Sequence, residues 1–146
     1  MIGFLVAILS GALMSIQGVW NTEATKQSGM WLMAAYVQLT AFFVCLVAYV
    51  WQERMVPMQS ILRISPKYFL LSGVIGAFIT MTVVKSIHIL GPAKGEMLIV
   101  ASQLIVAYII ELFGMFGTET TNFSWKKMVA VCIFLVGIIL FKSKSL

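Results

Sequence analysis

The chain has 146 residues, of which 61% are hydrophobic and 10% charged, and a mean hydropathy of +1.01, whereas a soluble domain is about 45–50% apolar and about 25% charged. At about 20 apolar residues per bilayer-spanning helix, five such helices take up about two thirds of the length, which excludes a separate soluble catalytic domain. The net charge of +5 is carried in basic runs no longer than Lys126-Lys127, an arrangement that speaks against a nucleic-acid surface and for cations at helix ends beside the bilayer.

The first span is predicted over 1–20. No Lys or Arg precedes Lys26, whereas a secretory leader needs a positive segment ahead of its apolar core, so this span is expected to be retained. A polar connection runs from Asn21 through Gly29. The second span covers 30–51, with Trp31 and Trp51 as interfacial anchors. The next connection holds Pro57, Arg63, Pro66 and Lys67, and its apolar residues between Met55 and Ile64 support a short surface helix. The third span, 68–90, stops at Gly91-Pro92 because proline disfavours helix before it and cannot donate to the ladder. The fourth covers 95–116. A cation-free turn from Gly117 to Ser124 leads to the fifth, 126–142, whose flanking lysines snorkel. No internal repeat or long linker separates these spans, so the expected fold is all-α, a single five-helix transmembrane domain over 1–146.

Alternating spans place Arg54, Arg63, Lys67, Lys126 and Lys127 on one face and Lys26, Lys85, Lys94, Lys142 and Lys144 on the other. This five-to-five tie removes the positive-inside bias that fixes orientation, so both orientations are expected, and with them an antiparallel homodimer. An odd number of spans points the same way, because inverted-repeat transporters bind substrate between two halves and one such chain supplies one half. The expected location is a prokaryotic inner membrane, with lipid and a small-molecule substrate as partners and no nucleic acid. Cys45 and Cys132 lie in apolar runs without metal-ligand spacing and read as reduced packing residues. With His88 the sole histidine, no metal or cofactor is expected.

Ionisable groups inside apolar spans are functional candidates because hydrocarbon does not solvate them. Glu111 stands out. It lies six residues beyond Ile105, the centre of the predicted fourth span, which is about 9 Å along the axis within a hydrocarbon half-thickness of about 15 Å. Desolvation penalises a charged carboxylate, and a carboxylate poised in this way can exchange a proton for a cationic substrate. The structural alternative is a partnership with Lys85 or another buried donor. Glu96, Gln103 and Glu111 fall seven and eight residues apart, which predicts one polar stripe; Glu96 also reads as a first-turn cap. Ser10, Met14, Gln17 and Asn21 form a second stripe, a candidate cavity wall, with Gln38 a weaker candidate on the next span. Ser72, Gly76 and Thr80, beside Gly73 and Ala77, make a small-residue face for close helix approach. Lys85 and His88 share a face and are secondary candidates together with Glu96, the alternatives being snorkelling and an interfacial hydrogen bond.

Taken in order, Gln17-x-x-x-Asn21, Gly73-x-x-Gly76-Ala77, Pro92, and Gln103 followed by Ile110-Glu111-Leu112-Phe113-Gly114 resemble the YdcZ-like five-helix branch of the drug/metabolite transporter superfamily over nearly the whole chain. The family pattern has aspartate and histidine where this chain has Glu111 and Leu112, and glycine where it has Ser102. The resemblance implies a small polytopic exporter working as an inverted pair, related in architecture to the small multidrug resistance proteins. Those relatives use a carboxylate in the first helix; the first span here has none, which leaves Glu111 as the candidate for proton coupling. The expected function is therefore alternating-access transport of small organic molecules, with Gln17, Gln38, Thr80, Gln103 and Glu111 lining a midplane cavity. The alternative is a non-transporting subunit of a larger membrane complex, recognisable by obligate co-isolation with another protein. No nucleophile and base are spaced for an enzyme.

Overall fold

In hydrocarbon every backbone N–H and C=O must be bonded within its own segment, which leaves helix as the outcome for so apolar a chain. The computed structural model describes residues 1–142. They form five α-helices: α1 (Ile2–Ser28), α2 (Met30–Gln52), α3 (Ser72–Leu90), α4 (Pro92–Phe113) and α5 (Trp125–Lys142), with 3-10 turns at Met58–Arg63, Lys67–Leu71 and Met115–Gly117. Lys144, which entered the charge comparison, lies outside the described residues. Among the described residues four segments are long and apolar enough to cross a membrane: Ile2–Ser28, Met30–Gln52, Lys67–Leu90 and Pro92–Phe113. The helix α5 has 18 residues, but lysines at 126, 127 and 142 confine its uninterrupted apolar stretch to 128–141.

The first helix does not stop at Trp20. Through the polar stretch Thr22 Oγ1 donates to the Gly18 carbonyl at 2.7 Å, Ser28 Oγ donates to the Ala24 carbonyl at 2.9 Å, and Lys26 pairs with Glu23 at 2.6 Å. Polarity there marks a change of surroundings and not the end of the helix. The break comes at Gly29, with φ +85° and ψ 153°. Its N–H donates to the Thr25 carbonyl at 2.9 Å, and its own carbonyl accepts from the Met33 N–H at 3.1 Å. Gly91 repeats the arrangement at φ +81° and ψ 161°, donating to Ile87 at 2.9 Å and accepting from Gly95 at 3.0 Å. This backbone region is essentially closed to residues with a Cβ, so in each case one glycine ends one helix and begins the next.

Two further boundaries move. The helix α4 begins at Pro92, where a missing N–H is harmless, and ends before Gly114, which takes a left-handed conformation. The predicted surface helix over 55–64 is a short 3-10 helix, Met58–Arg63, because Pro57 and Pro66 enclose too few residues to propagate an α-helix.

The chain divides into two compact units, Met1–Lys85 and the residues from Ser86 onward. In the first, α1 packs on α2, and the buried residues of the pair, Gly18, Asn21 and Thr22 with Ala34, are small and close to the Gly29 corner, as close backbone approach requires. In the second, α4 packs on α5, and Gly95 and Ala101 are buried. A Cβ on Gly95 would lie 3.3 Å from the Ile87 backbone. Large apolar side chains such as Phe42, Phe43, Val44 and Phe78 are exposed, a surface suited to lipid and not to water. The exposed Trp31, Trp51 and Trp125 stand at helix ends, where indole rings favour the membrane interface. Against the expectation of packing residues, Cys45 and Cys132 are both free and exposed.

Candidate functional site

On α4 the residues Leu104, Ala107, Tyr108 and Glu111 recur at i, i+3, i+4 and i+7, one face of a helix. On α5 the residues Lys127, Ala130 and Val131 do the same. Together the two stripes enclose a groove of about 300 Å³ with an aliphatic floor. At its rim Lys127 Nζ lies 3.1 Å from Glu111 Oε2 and 5.3 Å from the centroid of the Tyr108 ring, within cation–π range. The turn between the helices is pinned to α4. The Thr121 N–H donates to the Glu111 carbonyl at 3.0 Å, and the Ser124 N–H donates to the Tyr108 hydroxyl at 3.1 Å. The Ser124 carbonyl in turn accepts from the Met128 N–H at 3.2 Å, which starts α5 where Lys127 can reach back over the groove. The cluster is charge-neutral, and each charged side chain is about half exposed, 47% for Lys127 and 48% for Glu111.

This geometry corrects four expectations for α4. The cation beside Glu111 is Lys127, expected as a snorkelling flank; Lys85 stands exposed on α3. Because α4 ends at Phe113 and not at 116, Glu111 sits in its last turn, about 13 Å from the helix centre, nearer the hydrocarbon boundary than predicted. Gln103 is exposed and turned about 80° around the axis from Glu111, so the two do not share a stripe. Glu96 is not a first-turn cap, since the helix starts at Pro92 and its first turn holds no acidic residue. It is half-buried, and its Oε1 is buried with no hydrogen-bond partner among the described residues.

The other candidates, His88 apart, fall in the first unit. Gln17 and Asn21 line an open groove of about 460 Å³ with Met33, Tyr36, Val37 and Thr40 of α2; Asn21 is buried and Gln17 exposed. The Gln38 amide nitrogen lies 3.5 Å from where a Cβ on Gly76 would stand, and Thr80 Oγ1 donates to the Gly76 carbonyl at 3.0 Å. Gln38, Gly76 and Thr80 are thus neighbours. His88 is exposed in the last turn of α3. Among the described residues no group of three His, Cys, Asp or Glu side chains is placed to hold a metal ion.

Sequence reasoning missed Lys127 and Tyr108 as members of the site. The available signal was Tyr108 three residues before Glu111, together with the Lys127, Ala130, Val131 spacing that mirrors the α4 stripe. No curated protein and no solved structure matches the chain. A family model described as "Putative inner membrane exporter, YdcZ" matches residues 2–140, nearly the entire described chain. With its membrane-length apolar helices and outward-facing hydrocarbon side chains, the protein belongs to the YdcZ family of inner-membrane exporters.

Proposed function

We propose that the chain exports small organic molecules as an antiparallel homodimer by alternating access, and that Glu111 couples export to protons. The observation that carries this reading is the Glu111–Lys127 pair in an otherwise aliphatic groove. A proton on Glu111 cancels the carboxylate that holds Lys127, so proton and substrate compete for one group, the minimum that exchange transport needs. The groups facing Glu111 across the groove are Lys127 from α5 and Tyr108 from its own helix. Gln17, Asn21, Gln38, Thr80 and Gln103 are the neutral hydrogen-bonding groups available to an organic substrate in this reading.

Five crossings, with α5 included, put the termini on opposite faces and make each chain one half of an inverted pair. Reporters attached after the last residue, active only in the cytoplasm or only outside it, are expected to give comparable activity. Activity from one side only would overturn dual orientation. Glu111→Gln is expected to abolish the pH dependence of flux in proteoliposomes, for substrates that a screen identifies, while the dimer survives size-exclusion chromatography. Flux that keeps its pH dependence in this variant would remove Glu111 from the coupling step.

A further inference from the structure

The groove between α4 and α5 holds a matched pair of opposite charges. A ligand with a single charge can use only half of it. A cation on Glu111 strands Lys127 beside Leu104, Ala107, Ala130 and Val131, and an anion on Lys127 strands Glu111 on the same aliphatic floor. Both groups are about half exposed, so water offsets part of that loss, and the remainder favours a ligand that partners both charges. A ligand carrying both an ammonium and a carboxylate replaces each partner at once, and the groove stays neutral before and after binding.

Size and shape narrow the class. At about 300 Å³ the groove lies at the bottom of the range of ligand pockets, about 300–1,000 Å³, which suits a molecule of metabolite size. Alanines at 107 and 130 leave room for a short branched tail between Leu104 and Val131. The closed pair spans 3.1 Å, and the two charged groups of an α-amino acid hang from a single carbon, so they can slot together between a lysine and a carboxylate that have parted. The Tyr108 ring, 5.3 Å from Lys127 Nζ, holds the ammonium in place when Glu111 is engaged by the ligand.

We propose that this groove binds a small zwitterion, an α-amino acid with an aliphatic side chain, with its carboxylate on Lys127 and its ammonium on Glu111. The inference rests on the exporter reading and deepens it: a proton arriving on Glu111 removes the ammonium's partner and drives release.

The test uses the full chain in nanodiscs, with radiolabelled L-leucine competed by unlabelled L-leucine, by isocaproate, which keeps only the carboxylate, and by isopentylamine, which keeps only the ammonium. Leucine is expected to compete at least about tenfold better than either analogue, a tenfold ratio being 1.4 kcal/mol. Lys127→Gln is expected to erase the preference for leucine over isopentylamine, and Glu111→Gln the preference over isocaproate. Such opposite losses cannot come from misfolding. Equal competition by either analogue, or no saturable leucine binding, overturns the zwitterion assignment. If leucine does not bind while other substrates still show Glu111-dependent, pH-dependent flux, the assignment fails and the exporter reading stands. If leucine binds as described but Glu111→Gln leaves the pH dependence of flux intact, the coupling reading fails and the assignment stands.

Discussion

Lys127→Met is expected to lower stability in detergent more than Glu111→Gln does, and the double variant to lose less than the sum of the two. The asymmetry follows from what each change leaves behind. Removing Lys127 leaves a carboxylate beside an aliphatic floor with no cation to pair with. Removing the carboxylate leaves a lysine whose long stem can carry its ammonium outward and which keeps the ring. Half-exposed ion pairs contribute little in water, about 0–1 kcal/mol, so the coupling read from the double-mutant cycle also reports how much water reaches the groove. A coupling of about 1 kcal/mol or more marks a pair shielded from water. Strict additivity in thermal unfolding would mean that the pair contributes nothing to holding α5 against α4. Flux is expected to fall in both single variants, and to remain lost in the double variant even where stability returns.

Gly29→Ala and Gly91→Ala are expected to cost about 1–3 kcal/mol each, the penalty for placing a side chain in this backbone region. A Cβ at either site meets nothing within 4 Å, so the cost is torsional and no repacking relieves it. Gly11→Ala is the matched control. It adds the same atom to open space in the middle of α1, where alanine is favoured over glycine by about 0.5–1 kcal/mol. Thermal unfolding of the three variants side by side is expected to show opposite signs for the corners and the control. Corner variants as stable as the parent chain would show that the chain turns at 29 and 91 without needing these torsions.

The helices and most of their ends were legible because apolar runs and Gly-Pro breaks report directly on what the bilayer demands. The extension of α1 past Trp20 was not. Asn21, Thr22 and Glu23 look like a loop when polarity is taken as a chain break, yet each is compatible with helix, and Thr22 and Lys26 find partners within it. Glu111 was legible as an unusual residue in an apolar span. Its partner was not, because the ion pair closes across sixteen residues, and only the conformation of the intervening turn decides which lysine arrives. The predicted alignment of Gln103 with Glu111 failed for a plainer reason: eight residues overshoot two helical turns, and a polar side chain need not share a face with its neighbour.

The single-residue corner at Gly29 also has a mechanical meaning. Burial in the α1–α2 pair is confined to the corner end, and residues 1–17 of α1 are exposed throughout, so most of each arm is free of its partner. At 27 residues, α1 is about 40 Å long. A change of about 10° at one glycine therefore sweeps its far tip through about 7 Å over that length, several atomic diameters. A lever of this kind needs no loop to unfold and no hydrogen bond inside either arm to break; one pair of backbone torsions sets its stroke.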